Sequence, residues 1–282
     1  MDVGPLTPPS PQRGEGEHGP RRREGVPNPL PPGGEEFKHP RPLGGRGQGE
    51  GEDKARYVQE MFTRIARRYD LMNALMTGGR HQAWRRVTAR MADSQPGGLA
   101  LDVATGTGDL ALALLAETGV RGVVGVDFSD GMLKVGREKL RRREPRGRVS
   151  LVAGDALRLP FPDKTFTCVT SAFLLRNLAD LAQGFTEMRR VTQAGGKVVA
   201  LEITEPALPG WSAVFRWYFR RLVPLLGALV SGNREAYTYL PQSVARFLPP
   251  PELARVMERA GLRDVGYRRL GLGTVTIHVG TV

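Results

Sequence analysis

The sequence predicts an α/β fold: a mainly parallel seven-stranded sheet with helices on both faces and an antiparallel hairpin at its C-terminal edge. Three observations predict it. Between residues 99 and 204 short β-like runs alternate with helical runs, as expected of parallel strands joined by crossover helices. The first unit, "LDVATGTGDLALAL" at 101–114, passes from strand to helix through a glycine turn. The chain then closes on two β-like runs separated only by a short loop, "VGYRRLG" and "TVTIHVGTV".

Taken in order, residues 1–53 hold 11 of the 22 prolines and 12 of the 36 glycines, with almost no large apolar residue. Such a segment cannot bury enough surface to offset its ordering entropy, so a disordered tail is expected there. A domain at 54–282 follows. In "YVQEMFTRIARRYDLMNALM", Val58, Met61, Phe62, Ile65, Ala66 and Tyr69 share one helical face. "HQAWRRVTARMA" reads as a second helix, and Pro96, Gly97 and Gly98 end this N-terminal helical cap, 54–96. "LALDVA", "GVVGVDF", "VSLVAGDA", "FTCVTSAF" and "KVVALEIT" read as strands. "DLALALLAET", "DGMLKVGREKLRRR" and "LADLAQGFTEMRRV" read as the helices between them. An apolar-basic stretch begins at 207, and 207–245 is expected to form a helical lid. "PPELARVMERAG" is the last helix before the hairpin.

The net charge is +12. Residues 1–53 carry seven Lys/Arg against nine Asp/Glu, so the rest of the chain carries +14. That suits an anionic partner without choosing among membrane, nucleic acid and acidic ligand. The single cysteine, Cys168, sits in an apolar strand and is expected to be buried. One thiol makes neither an internal disulfide nor a metal cluster, which fits a reducing compartment. No apolar run is long enough to predict a spanning helix, and the N-terminus lacks a signal-peptide core.

The glycine turn poses the question of its ligand. Gly106, Gly108 and Ala111 satisfy the dinucleotide pattern G-x-G-x-x-A, with Asp127 about 20 residues on. Three acids argue instead for S-adenosylmethionine. Asp102 ends the first strand, where it can face the ammonium of a methionine moiety and would repel a pyrophosphate. Asp127 ends the second, where it can accept from ribose hydroxyls. Asp155 ends the third, placed to accept from an adenine amino group. Ligands of open α/β sheets bind at this carboxyl edge. Phe128 and Met132 could flank the adenine.

Residues 54–282 resemble the quinone C-methyltransferases of menaquinone and ubiquinone synthesis, the demethylmenaquinone methyltransferase and 2-methoxy-6-polyprenyl-benzoquinol methylase family. The resemblance rests on "YDLMNALMTGGRHQAW", "LRLPFPDKTF", "FLLRN", "EAYTYLPQSV" and "TIHVG". It implies a Rossmann-like class I methyltransferase fold, S-adenosylmethionine as cofactor and a polyprenyl quinol as acceptor. It also implies cofactor contacts at Thr107, Asp127, Asp155 and Ala156, beside the turn glycines Gly106 and Gly108. The chain departs from the family pattern at Thr105, which replaces a glycine, and at Thr77, Ala172, Leu174, Thr192, Gln193, Ala194 and Thr204. The turn at Gly195-Gly196 is expected to survive without the family's proline.

Carbon methylation needs alignment above all, and a group that favours the phenolate of the reduced ring. Arg176 and Asn177, just beyond the fourth strand, face the carboxyl edge. His81 and Tyr69 are base candidates from the cap. A structural salt bridge for Arg176 and a packing role for His81 are the competing readings. No metal is required by this chemistry. "WSAVFRWYFRRLVPLLGALV" combines helically spaced aromatics with Arg216, Arg220 and Arg221. It could lie on an anionic membrane or close as a lid over the site. The expected setting is the cytoplasm, peripheral to the inner face of the cell membrane. No nucleic-acid partner is expected, and a homodimer is left open. The alternative function keeps the cofactor and changes the acceptor to another lipid or small aromatic.

Overall fold

A computed structural model describes residues 48–93, 96–231 and 234–282. Seven strands form one sheet in the order β3-β2-β1-β4-β5-β7-β6. They are β1 (Leu99–Val103), β2 (Gly122–Asp127), β3 (Val149–Ala153), β4 (Phe166–Ala172), β5 (Thr192–Ile203), β6 (Arg263–Leu270) and β7 (Val275–Thr281). The first five are parallel. β7 lies antiparallel between β5 and β6, so β6 takes the edge. The order reverses between β1 and β4, which opens a crevice above their carboxyl ends.

Side chains alternate across the sheet as the period of two requires. Leu101, Val103, Val198 and Ala200 pack on one face against α5 (Leu181–Val191) and α9 (Pro250–Arg259). Ala100, Val199 and Leu201 pack on the other against α2 (Arg80–Ala92) and α3 (Asp109–Glu117). Cys168 is buried in that second layer. α4 (Asp130–Arg143) starts where Ser129 accepts from Met132 N, and α5 where Asp180 accepts from Gln183 N. His278 of β7 is buried and donates from Nε2 to the Pro250 carbonyl; burial holds its pKa down at about 4, so the ring is neutral.

A third cluster lies off the sheet. It joins α1 (Gln48–Thr77), α4 and the segment after β5. Met61, Ile65 and Ala66 of the expected face are buried there, while Phe62 and Tyr69 are half-buried. The helix starts at Gln48, ahead of the expected boundary at 54; the rest of the expected tail lies outside the described residues. Met132 is 1 % exposed within this core, which corrects its assignment beside an adenine.

The lid segment is not one regular helix. α6 (Pro209–Trp217) runs into a π turn at Tyr218–Leu222, then α7 (Val223–Leu226), a second π turn at Gly227–Ser231 and α8 (Arg234–Ala245). Pro224 accounts for a wider turn before it: it has no N–H to donate backwards, and its ring crowds the preceding turn of a regular α-helix. Gly195, at φ 76°, sits inside β5 at an irregularity opposite Phe166–Cys168, so the expected glycine turn is folded into a bulge of the strand.

Candidate active site

The turn after β1 is built by backbone that only small residues enter easily. Ala104, Gly106 and Gly108 have φ of 55°, 58° and 86°. Gly106 N donates to Asp127 Oδ2 at 2.7 Å, and Ser129 N donates to Asp127 Oδ1 at 2.8 Å. Asp127 thus shapes the turn, and its remaining lone pairs are open to further donors. Burial pushes its pKa up, against the backbone N–H groups of Ser129, Gly106 and Phe128.

Asp102 is buried at the end of β1. Thr105 Oγ1 donates to it at 2.7 Å and Thr170 Oγ1 at 3.1 Å. Burial dominates and lifts its pKa to about 7. Thr105, the departure from the family glycine, therefore serves as a donor to this acid. Asp155 is exposed just beyond β3, and its Oδ1 accepts from Leu157 N at 2.9 Å; Ala156 beside it is buried. Phe128 is 42 % exposed at the rim, and its carbonyl accepts from Gln59 at 2.7 Å.

The cap is bonded onto this turn. Thr107 Oγ1 donates to Asp70 Oδ1 at 2.6 Å and accepts from Lys139 Nζ at 2.8 Å. Lys139 also pairs with Asp70 and with Asp109. Burial opposes the charge of Asp109, but Lys139 and Arg85 outweigh it and hold the pKa below the usual carboxylate range. The Thr107 hydroxyl is occupied by this network, which leaves its backbone N–H as the group available to a ligand.

The four expected catalytic residues fare differently. His81 is buried. Thr77 Oγ1 donates to the Asn73 carbonyl, so it accepts from His81 Nδ1, while His81 Nε2 accepts from Gln82, which also donates to Asp109. Burial lowers its pKa, with Arg85 adding to the effect. The ring is neutral, but its lone pair is taken, so it serves as a link in the cap. Arg176 forms a buried ion pair with Glu202 at 2.5 Å and donates to the Phe173 carbonyl at 2.9 Å. The competing structural reading of Arg176 is what the geometry shows. Asn177 donates to the Phe173 carbonyl at 3.3 Å and accepts from Tyr239 at 3.2 Å. Tyr69 has no hydrogen-bond partner for its hydroxyl among the described residues.

Beside the crevice lies a cavity of about 550 Å³. Its walls are aromatic and aliphatic: Phe62, Met76 and Trp84 from the cap, Trp211, Phe215 and Tyr239 from the lid. Arg176, Asn177 and His81 face it too. Tyr69 lines both the cavity and the crevice. The spaces therefore meet at Tyr69, one polar and acidic, the other apolar. Sequence reasoning missed Arg85, Lys139, Glu202 and Tyr239 as site residues. Glu202 stood in a recognised strand and Tyr239 in a recognised motif, but their partners come from remote stretches. Among the described residues no group of three His, Cys, Asp or Glu could hold a metal, and no helix is long and apolar enough to cross a membrane.

Residues 50–282 match the ubiE/COQ5 methyltransferase family. The chain is 46 % identical to the demethylmenaquinone methyltransferase of Roseiflexus sp. (strain RS-1) over 229 residues, 81 % of this chain and 94 % of that protein. It is 46 % identical to the Deinococcus radiodurans enzyme of the same name over 232 residues, 82 % and 95 % of the two chains. A Thermotoga maritima structure described as a SAM-dependent methyltransferase shares the fold. Its TM-score is 0.54 at 18 % identity, covering 79 % of this chain and 98 % of that one.

Proposed function

The chain belongs to the ubiE/COQ5 methyltransferase family, and from that membership we propose that it methylates a ring carbon of a polyprenyl quinol, demethylmenaquinol first, using S-adenosylmethionine. The observation that carries the reading is the meeting of an acid-lined crevice with a large apolar cavity at Tyr69. The crevice fits the cofactor in its donor set. Asp102 offers a buried anion to an ammonium, Asp127 keeps lone pairs for ribose hydroxyls, and the turn approaches without side chains at Gly106 and Gly108. When bound, S-adenosylmethionine supplies an activated methyl group. The chain's own part is to hold the acceptor ring at the junction, exclude water with the aromatic walls, and favour the phenolate. Tyr69 has the open hydroxyl for that last task. Asn177 and Tyr239 hold one another at the cavity wall, with the neutralised Arg176–Glu202 pair behind them.

The test is direct. Purified protein, S-adenosylmethionine and a reduced short-tailed naphthoquinol are expected to give the ring-methylated product by mass spectrometry. Turnover of a benzoquinol with none of the naphthoquinol would favour the ubiquinone step. Turnover of neither would move the acceptor to another lipid or aromatic.

The acid at β1 gives the site a pH signature. With Asp102 near pKa 7, the anion that an ammonium needs is lost as pH falls below that value. Cofactor affinity is expected to drop about tenfold per pH unit on the acid side. Calorimetry from about pH 5.5 to 8 checks it; a flat profile would remove Asp102 from the ammonium site.

Access to a tailed quinol suggests an interfacial enzyme, peripheral to the cytoplasmic face of the membrane. Val214, Trp217, Leu225 and Leu229 are exposed on the lid, with Arg220 and Arg221 exposed beside them. Arg216 is already paired with Glu205. Binding to anionic vesicles is expected to be weak and lost at high salt, each exposed arginine contributing about 1 kcal/mol. R220Q/R221Q is expected to reduce it and to raise KM for a long-tailed acceptor alone. Equal loss on short- and long-tailed acceptors would assign these arginines to the fold.

A further inference from the structure

The apolar cavity meets solvent at a rim that is itself largely apolar. Among the residues that border it, Val214, Trp217, Leu272 and Arg80 are exposed. Val214 and Trp217 belong to α6, and Leu272 is the tip of the turn Gly271–Gly273 between β6 and β7. That tip stands against the base of the lid. Thr204 Oγ1, just past β5, donates to the Gly273 carbonyl at 3.1 Å, and a Cβ at Gly273 would lie 3.5 Å from Pro206.

A lone exposed leucine is ordinary, but this one is 71 % exposed in a conformation that costs energy to hold. Leu272 has φ 58°, in the left-handed region, between Gly271 at 58° and Gly273 at 88°. The turn around it is fixed. Thr274 donates to the Gly271 carbonyl from its N at 3.2 Å and from its Oγ1 at 2.8 Å. A Cβ at Gly271 would come within 3.3 Å of the Trp84 ring on the cavity wall and 2.6 Å of Thr274 Oγ1. A rigid turn thus presents one large apolar side chain to the opening, at a position where Gly, Asn or Asp would sit without strain.

Size points to what the rim receives. The cavity of about 550 Å³ lies well inside the range of small-molecule sites, about 300–1,000 Å³. It takes a bicyclic ring and the first part of a tail, but not a chain of many isoprene units. The rest of such a chain must leave, and an apolar rim keeps the carbons that cross it out of water. Arg80 can lay its aliphatic stem along hydrocarbon with its charge in solvent. We propose that α6 and the β6–β7 tip form the exit for the acceptor's hydrocarbon tail, and that Leu272 makes the enzyme prefer tailed acceptors. The inference rests on the polyprenyl quinol reading above.

The test is a tail series without membranes: the full chain, S-adenosylmethionine and reduced naphthoquinols that carry no tail, one isoprene unit or two. Wild-type KM is expected to fall about tenfold or more from the tailless to the two-unit acceptor, with kcat changed less than about threefold. Leu272→Asn keeps the turn, because asparagine tolerates left-handed backbone. It is expected to raise KM for the two-unit acceptor about fivefold and to move that of the tailless one less than about twofold. Equal wild-type KM across the series would overturn the proposal, and needs no variant to fold. Unchanged KM values in Leu272→Asn, or an equal rise for every acceptor, would overturn it as well. Unchanged KM values together with weaker binding of that variant to anionic vesicles would give the tip to the bilayer instead of the tail. Wild-type protein that methylates no member of the series would overturn the quinol reading itself, and the exit with it.

Discussion

Asp127→Ala is expected to weaken S-adenosylmethionine binding by at least about 100-fold, roughly 3 kcal/mol, and to do so mainly through the shape of the turn. The carboxylate accepts from Gly106 N and Ser129 N at once. Removing it orphans two backbone donors, at about 1–3 kcal/mol each when buried, besides the acceptor meant for the ribose. Asp127→Asn separates the contributions, since its amide oxygen can serve one of these donors and its NH2 none. It is expected to fall between wild type and alanine. Calorimetry gives the affinities, and the rise in Tm on adding cofactor gives an independent reading, expected to vanish in the alanine variant. An alanine variant that binds normally would show that the turn holds its form without this acid.

The second large effect is on stability. Arg176 and Glu202 are 7 % and 0 % exposed at their side chains and face each other at 2.5 Å. Removing either partner leaves the other charge buried and uncompensated, at a cost of about 3–5 kcal/mol. Arg176→Met and Glu202→Gln are each expected to show that loss in denaturant unfolding. The double variant is expected to be more stable than the sum of the single losses predicts, because it leaves no orphan charge. Additive losses would show that the two side chains act independently. Activity loss in Arg176→Met must be read against this background: a phenolate-stabilising role predicts a fall in kcat at temperatures where the variant is still folded.

The strands and crossover helices were legible because their signals are local. The alternation in "LALDVA" and "KVVALEIT" states which residues face which layer, and Ser129 and Asp180 mark helix starts by capping chemistry. The acids at the ends of β1 and β2 were legible for the same reason, since strand plus turn fixes where they end up. Partner choice was not legible. Arg176 looked available because Glu202 is 26 residues away and meets it only once β4 and β5 pair. Arg85 stands in a run of basic residues on an amphipathic helix, where the ordinary expectation is solvent; only the docking of α2 on the sheet buries it. Thr107 was a cofactor contact on motif grounds, yet its hydroxyl is drawn away by Asp70, 37 residues earlier. Periodicity foretold the helical character of the lid but not its two π turns, because a search at a fixed angle per residue assumes a regular helix.

Those two π turns make the lid unusual in how it can change over generations. Each holds one residue more than an α turn, as a tolerated single-residue insertion would. Deleting one residue from Tyr218–Leu222 would let regular α winding resume while the helix beyond keeps its facing, because a π turn absorbs the extra residue instead of passing on its rotation of about 100°. Val223 would stay buried and Leu225 exposed, and the change would fall on the turn itself, where Tyr218 and Phe219 line the cavity. Gain or loss of a codon here thus acts as a local adjustment of pocket shape, whereas the cofactor turn, bonded at each residue from Thr105 to Asp109, has no comparable freedom of length.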